Sequence, residues 1–133
     1  MIKDFIPYEQ ALELKELGFN ERCFNHYSER DGESLLHLLS ATPIKNESFI
    51  TYKGCAAPLY QQAFRWFREK FNMPSKIEAT FEHETPNQYH YFYQIVTDDF
   101  IAGDGVMLNW TYEEAELACL KKLIEIVKTN EIS

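Results

Sequence analysis

The chain has 133 residues, 45% of them hydrophobic and 15% aromatic, with ten Phe, eight Tyr and two Trp. That length is enough to bury a core without disulfide or metal staples, and that hydrophobic share excludes wholesale disorder. A formal net charge of -8 excludes phosphate-rich partners and anionic membranes as default targets, because repulsion wins unless basic residues segregate on one face.

The first helix signal is Pro7 followed by Tyr8 to Leu17. Pro suits a helix start, where its missing N–H leaves nothing unpaired. Tyr8, Ala11 and Leu12 share a face that Leu14 and Leu17 widen. Gly18 reads as the stop, in left-handed conformation, with Phe19 folding back toward Leu14. Residues 22–39 read as a hairpin around Arg30-Asp31-Gly32, although Leu35-Leu36-His37-Leu38-Leu39 fits a short helix equally well. A loop over 40–56 follows, punctuated by Pro43, Asn46 and Gly54, with a short strand at Phe49–Tyr52.

A second helix is expected from Pro58, with Leu59, Ala63, Trp66 and Lys70 on one line and Tyr60, Phe64, Phe67 and Phe71 on the next. Arg65, Arg68 and Glu69 face away, and Asn72 and Pro74 end it. Strands over 76–84 and 88–97 follow. A loop over 85–88 pairs Glu84 with Tyr89, putting Glu78, Glu82 and Glu84 on one face with Tyr89, Tyr91 and Tyr93. A loop over 86–88 instead sets the Tyr row beside Ile77, Ala79 and Phe81. The first register is preferred because it leaves a wholly apolar centre on one side, among Ile77, Ala79, Phe81, Phe92 and Val96, and a Glu/Tyr lattice on the other. A third short strand lies near Phe100-Ile101-Ala102. The last helix opens on the capping box Thr111-Tyr112-Glu113-Glu114 and buries Ala115, Ala118, Cys119, Leu123 and Ile126.

From Ala57 to Lys128 the order helix, strand, strand, strand, helix is similar to the double-stranded-RNA-binding domain. Ala102-Gly103-Asp104-Gly105 resembles that family's Ala-x-Gly-x-Gly, and Glu114-Ala115-Glu116-Leu117-Ala118 resembles its Ala-rich helix opening. The family's Lys-Lys-x-Ala-Lys run, which reaches phosphates, is here Tyr112-Glu113-Glu114-Ala115-Glu116, and Val106–Trp110 is an insertion. The resemblance therefore implies the fold and not the RNA binding. The phrases Ile6–Phe19, Pro58–Arg68 and Glu114–Leu120 look like small, uncharacterised phage and prophage proteins of Bacteroidetes. That resemblance implies a setting and no activity.

The expected architecture is α+β: an antiparallel sheet of three or more strands with helices packed on one face. It forms a single domain over 1–133, in which 1–56 is an N-terminal helix and hairpin and 57–129 an α-β-β-β-α core. No apolar run approaches a membrane span. The opening Met1–Gln10 lacks the apolar stretch of a secretory signal. Cys23, Cys55 and Cys119, odd in number and widely spaced, predict no disulfide framework, which points to the reducing cytoplasm of a bacterial host.

Candidate chemistries are few. Cys23 and His26 stand at Cys-x-x-His spacing, with His37 and Cys55 as further zinc ligands, but a structural site normally shows two tight pairs. His83 and His90, opposite each other in the preferred register, and Asp98, Asp99 and Asp104 around Gly103 and Gly105 are the other metal or proton-transfer candidates. No nucleophile, base and orienting group come together, so no catalytic residue, cofactor or metal is assigned. The reading is a non-catalytic protein-interaction module of phage or prophage origin, with a protein partner or a second copy of itself bound by Tyr89, Tyr91, Tyr93, Glu78, Glu82 and Glu84. The alternatives are a nucleic-acid-binding module using Arg65, Arg68, Lys70 and Lys76, and a small metal-dependent enzyme.

Overall fold

A computed structural model describes residues 2–30, 33–37, 45–48, 54–81, 89–97, 101–102 and 111–132. The fold is α+β, with helices α1 (Tyr8–Glu16), α2 (Tyr60–Phe71) and α3 (Tyr112–Ile132). The strands are β1 (His26–Arg30), β2 (Glu33–His37), β3 (Cys55–Ala56), β4 (Ser75–Phe81), β5 (Tyr89–Val96) and β6 (Ile101–Ala102). They form two separate antiparallel sheets, ordered β2-β1-β3 and β4-β5-β6, each a longer strand pair flanked by a two-residue strand. The chain divides into two compact units, Met1–Gln62 and Ala63–Ser133, with the division inside α2.

In the first unit, Pro7 caps α1 with φ -64 and ψ 158, and the helix stops as the sequence predicts. Gly18 takes φ 99. Its N–H donates to the Lys15 carbonyl at 3.1 Å and the Phe19 N–H to the Leu14 carbonyl at 2.9 Å, the paired bonds of a Schellman end. Ile6, Ala11, Leu14 and Phe19 are buried, and α1 packs against β3. The ambiguous Leu35–Leu39 run resolves as strand at least as far as His37: Arg30 stands opposite Glu33 and His26 opposite His37. Tyr27, buried on β1, meets the Tyr8 ring edge-on at 5.5 Å. Its hydroxyl donates to the Ile6 carbonyl at 2.7 Å.

The loop before β3 is held by one buried side chain. Asn46, in a 3₁₀ turn over Asn46–Ser48, donates through Nδ2 to the Phe19 carbonyl at 2.7 Å. Its Oδ1 accepts the Ala56 N–H at 2.8 Å. Each of these backbone groups is buried and needs a partner, so one amide satisfies two segments far apart in sequence. The Phe49–Tyr52 strand expected from the sequence lies outside the described residues.

In the second unit, α2 ends at Asn72, in left-handed conformation with φ 54, and the Met73 N–H reaches back to the Phe67 carbonyl at 3.3 Å. Asn is one of the few residues with a Cβ that accepts this region readily. Trp66, Phe67 and Phe71 form a ring cluster, with centroids 5.0 Å apart for Trp66–Phe67 and 5.2 Å for Trp66–Phe71. The capping box of α3 closes both ways. The Glu114 N–H donates to Thr111 Oγ1 at 3.2 Å, and the Thr111 N–H donates to Glu114 Oε1 at 3.0 Å. The helix lays Ala115, Cys119, Leu120, Leu123, Ile124 and Val127, all buried, toward the core and packs across β5 and β4.

The β4–β5 register corrects the sequence reading. Phe81 pairs with Tyr89 and Ser75 with Ile95, so Glu84 does not stand opposite Tyr89, and residues 82–88 separate the two strands. Tyr89, Tyr91 and Tyr93 lie beside Phe81, Ala79 and Ile77, while Glu78 stands opposite Phe92 on the other face. The Glu/Tyr lattice is therefore absent at Glu78. Glu82 and Glu84 lie outside the described residues. The physical reason is burial under α3: Tyr93 and Ile95 are 4% and 0% exposed. A face that fills a core cannot also carry alternating carboxylates.

Candidate functional site

The register gives the sheet of the second unit two chemically distinct faces. The inner one carries Ser75, Ile77 and Ala79 on β4 and Tyr91, Tyr93 and Ile95 on β5. Tyr91 is half-buried and meets Tyr112 of α3 edge-on at 5.4 Å. Burial first, then the carboxylates of Glu116 and Glu113 and the neighbouring Tyr91, hold the Tyr112 phenol above its usual range. Of the Tyr row, only Tyr89 at the strand start is open, at 58% exposure. Tyr93 serves the core.

The outer face carries Lys76, Glu78 and Thr80 on β4, His90, Phe92, Gln94 and Val96 on β5, and Ile101 on β6. Val96 and Ile101 are register partners, so their side chains stand together on this face. They are 40% and 64% exposed, large apolar groups left in water. Beside them a small hollow is lined by Pro74, Ser75, Lys76, Gln94 and Val96. The Lys76 ammonium meets Glu78 Oε1 at 2.7 Å, forming a charged margin on β4. His90, at the far end of β5, is buried and stands opposite Thr80, not His83. The histidine pair proposed from sequence thus loses its geometry, and His83 lies outside the described residues, as do Asp98, Asp99 and Asp104.

The zinc constellation is split by strand alternation. Tyr27 and Leu36 share a β1–β2 face with Cys55, because Cys55 pairs with Tyr27. His26 pairs with both His37 and Ala56, so it belongs to the opposite face. Cys23 lies against Gln62, its Sγ 3.6 Å from Oε1. Among the described residues no group of three or more His, Cys, Asp or Glu side chains is placed to hold a metal ion. Burial pushes each thiol up to about 12: Cys23, with Glu21 adding to the effect, Cys55 against the opposing pull of Lys15, and Cys119 against a hydrogen bond from Ser75. At neutral pH all three are protonated, which is the wrong state for a nucleophile.

The basic residues named for nucleic acid do not form one patch of free charge. Arg65, Arg68 and Lys70 are exposed on α2, but the Lys70 ammonium sits over the Trp66 ring at 5.3 Å and Lys76 is paired with Glu78. Glu113 and Glu114 are exposed in the first turn of α3. Among the described residues no helix is long and apolar enough to cross a membrane. No family model matches the chain, and neither a curated protein nor a solved structure is significantly similar to it.

Val96 and Ile101 were not singled out from the sequence. The two-residue strand that brings Ile101 alongside Val96 is too short for a periodic signal. The only usable sign was that both fall at the end of a strand next to a polar run, Thr97-Asp98-Asp99.

Proposed function

We propose that the chain is a non-catalytic protein-interaction module of phage or prophage origin, and that it engages a protein partner through the outer face of the β4-β5-β6 sheet. The observation that carries the proposal is the exposed Val96–Ile101 pair, rimmed by Lys76 and Gln94. Large apolar side chains adjacent in register and bordered by polar groups are the composition of an interface centre with its rim. Of the Tyr row named from sequence, Tyr89 is exposed at the start of β5 but on the other face of the sheet, and Tyr91 and Tyr93 act by supporting the sheet.

The order α2, β4, β5, β6, α3 supports the likeness to the double-stranded-RNA-binding domain, with α3 as the helix on the sheet. The exposed Glu113 and Glu114 at the start of α3 favour a protein over RNA, since that helix start would meet phosphate in the RNA-binding family. The phage setting rests on the sequence phrases alone. The three buried thiols fit the cytoplasm of a bacterial host.

The test is affinity capture with the tagged full chain from phage-bearing host cells, run beside the Val96→Glu/Ile101→Glu variant. A protein retained by the native chain and lost by the variant, with the thermal transition unchanged, is the expected result. Equal retention by both chains removes the outer face from consideration. Retention of RNA that falls steeply with salt, in place of a protein, overturns the reading.

A further inference from the structure

We infer that a second copy of this chain pairs with the free edge of β4, antiparallel, about a two-fold axis through Ile77. β4 ends the sheet order β4-β5-β6, so one side of its backbone has no strand partner among the described residues. The hydrogen-bond phase fixes which groups face that side. The Val96 N–H donates to the Pro74 carbonyl at 2.9 Å, and the register continues as Ser75 opposite Ile95 and Lys76 opposite Gln94. In an antiparallel ladder, alternate residues turn both backbone groups toward one neighbour. Pro74, Lys76, Glu78 and Thr80 therefore bond toward β5, and Ser75, Ile77 and Ala79 turn their N–H and C=O groups outward.

A two-fold at Ile77 uses those groups and no others. Ile77 meets Ile77 of the second copy, and Ser75 meets Ala79, each pair exchanging two backbone bonds. Between them Lys76 falls opposite the second copy's Glu78, and Glu78 opposite its Lys76. These are the positions without backbone bonds, where cross-strand side chains stand closest. The strand Ser75-Lys76-Ile77-Glu78-Ala79 is thus complementary in charge to its own reverse. Neighbouring centres are not: an axis at Lys76 opposes two ammonium groups, and one at Glu78 opposes two carboxylates. Within one copy, Lys76 and Glu78 already contact each other at 2.7 Å while remaining 56% and 41% exposed. Both charges are therefore held at the edge with room to exchange partners. The half-buried Ile77 lies on the inner face, where pairing sets it against Ile77 of the second copy.

A lysine on an edge strand ordinarily blocks pairing. Here the carboxylate two residues on turns that block into a selector that admits its own copy in one register. The inference goes beyond the proposed function and uses the opposite edge of the sheet from β6, and Lys76, which borders the Val96–Ile101 pair, is shared by the two surfaces.

The test is light scattering after size-exclusion chromatography on the full chain and its charge variants. The native chain is expected to be a dimer. Lys76→Glu and Glu78→Lys each place like charges opposite each other and weaken dimerisation roughly tenfold or more. An equimolar mixture of the two single variants restores a dimer, because every opposed pair is again of opposite sign. The double variant Lys76→Glu/Glu78→Lys restores it within one chain. A native chain that remains a monomer at high concentration overturns the inference. So does a dimer indifferent to both single reversals, or a mixture that fails to associate. None of these outcomes bears on the Val96→Glu/Ile101→Glu capture result.

Discussion

In Met1–Gln62 the segments are joined by side chains that reach distant backbone groups. Asn46 bonds to Phe19 and Ala56, the Tyr27 hydroxyl to Ile6, the Lys15 ammonium to the Gly54 carbonyl at 2.6 Å, and Gln62 Nε2 to the Arg22 carbonyl at 3.1 Å. In Ala63–Ser133 the core is instead apolar surface against apolar surface, with the long α3 on β4 and β5 and a ring cluster on α2. The described strands of the first unit run to five residues at most, and side chains supply partners to backbone groups that its ladders leave unpaired. The second has two longer strands and a long helix that satisfy their own backbones, which leaves side chains free to pack.

Removing packing from the second unit is expected to have the largest effect. Phe67 is 0% exposed and packs against the rings of both Trp66 and Phe71. Phe67→Ala is expected to destabilise by about 3–5 kcal/mol, through lost transfer energy and the cavity left behind. Urea unfolding followed by tryptophan fluorescence measures it. A loss under about 1 kcal/mol would show that the ring cluster collapses around the gap and that the apolar account of this unit is wrong.

The corresponding break in the first unit is Asn46→Ala. It leaves the Phe19 carbonyl and the Ala56 N–H buried without their partner, at about 1–3 kcal/mol for each orphaned group. Asn46→Asp sharpens the test, because it keeps the acceptor for Ala56 but turns an oxygen toward the Phe19 carbonyl. Burial and that carbonyl hold the new carboxyl above its unfolded pKa. Stability of the Asp variant is therefore fullest at acid pH and falls as pH rises through the carboxylate range, opposite to an ion-paired acid. Unfolding midpoints at pH 4 and pH 7, each referred to the native chain, decide it. A variant no weaker at pH 7 than at pH 4 removes Asn46 from its place as the tie between segments.

The two units share one response, to alkali. Each thiol has an ordinary value of 9.0 and is pushed up to about 12 by burial, Cys23 and Cys55 in the first unit and Cys119 in the second. Between those values the unfolded chain gives up its thiol protons and the folded chain keeps them. Stability is then complete below pH about 9 and falls as pH rises above it. Unfolding midpoints from pH 7 to pH 10 are expected to decline, and Cys119→Ala to decline less steeply than the native chain. Equal slopes would show that Cys119 is reached by solvent.

What was legible in the sequence follows the same division. The capping box of α3, its buried stripe and the end of α2 were readable because each depends on residues within a few positions of one another. So was the Gly18 stop of α1. The β4–β5 pairing expected from the sequence is off by three residues, an odd slip that exchanges the two faces, and only the true strand ends, here Phe81 and Tyr89, fix the register. The expected loop over 85–88 rests on turn chemistry, which says where a chain bends and not how far the strands extend. Asn46 was read as loop punctuation. A polar residue that joins segments ten and twenty-seven positions away has no local signature, so its role was invisible before the fold. The outer-face pair Val96–Ile101 was hidden for the same reason, since it exists only once β6 is laid against β5.

The smallest effects compare the two helix stops. Gly18 and Asn72 both sit at positive φ, 99 and 54, one closing α1 and the other α2. At Gly18 a Cβ is new, and the carbonyls of Lys15 and Leu14 depend on the turn it makes. Gly18→Ala is expected to destabilise by about 1–2 kcal/mol, the penalty of placing an L-residue in the left-handed region. At Asn72 the Cβ is already present and φ is close to the left-handed minimum, so Asn72→Gly is expected to stay within about 0.5 kcal/mol of the native chain. Asn72→Ala should lose less than Gly18→Ala, because only the favourable local bonding of the amide is removed. Equal losses at the two sites, measured by urea unfolding, would mean that backbone angle alone sets the cost. A larger loss at Asn72 would mean that the Met73–Phe67 bond following it holds the start of β4 in place, and that the apolar unit also depends on a polar hinge.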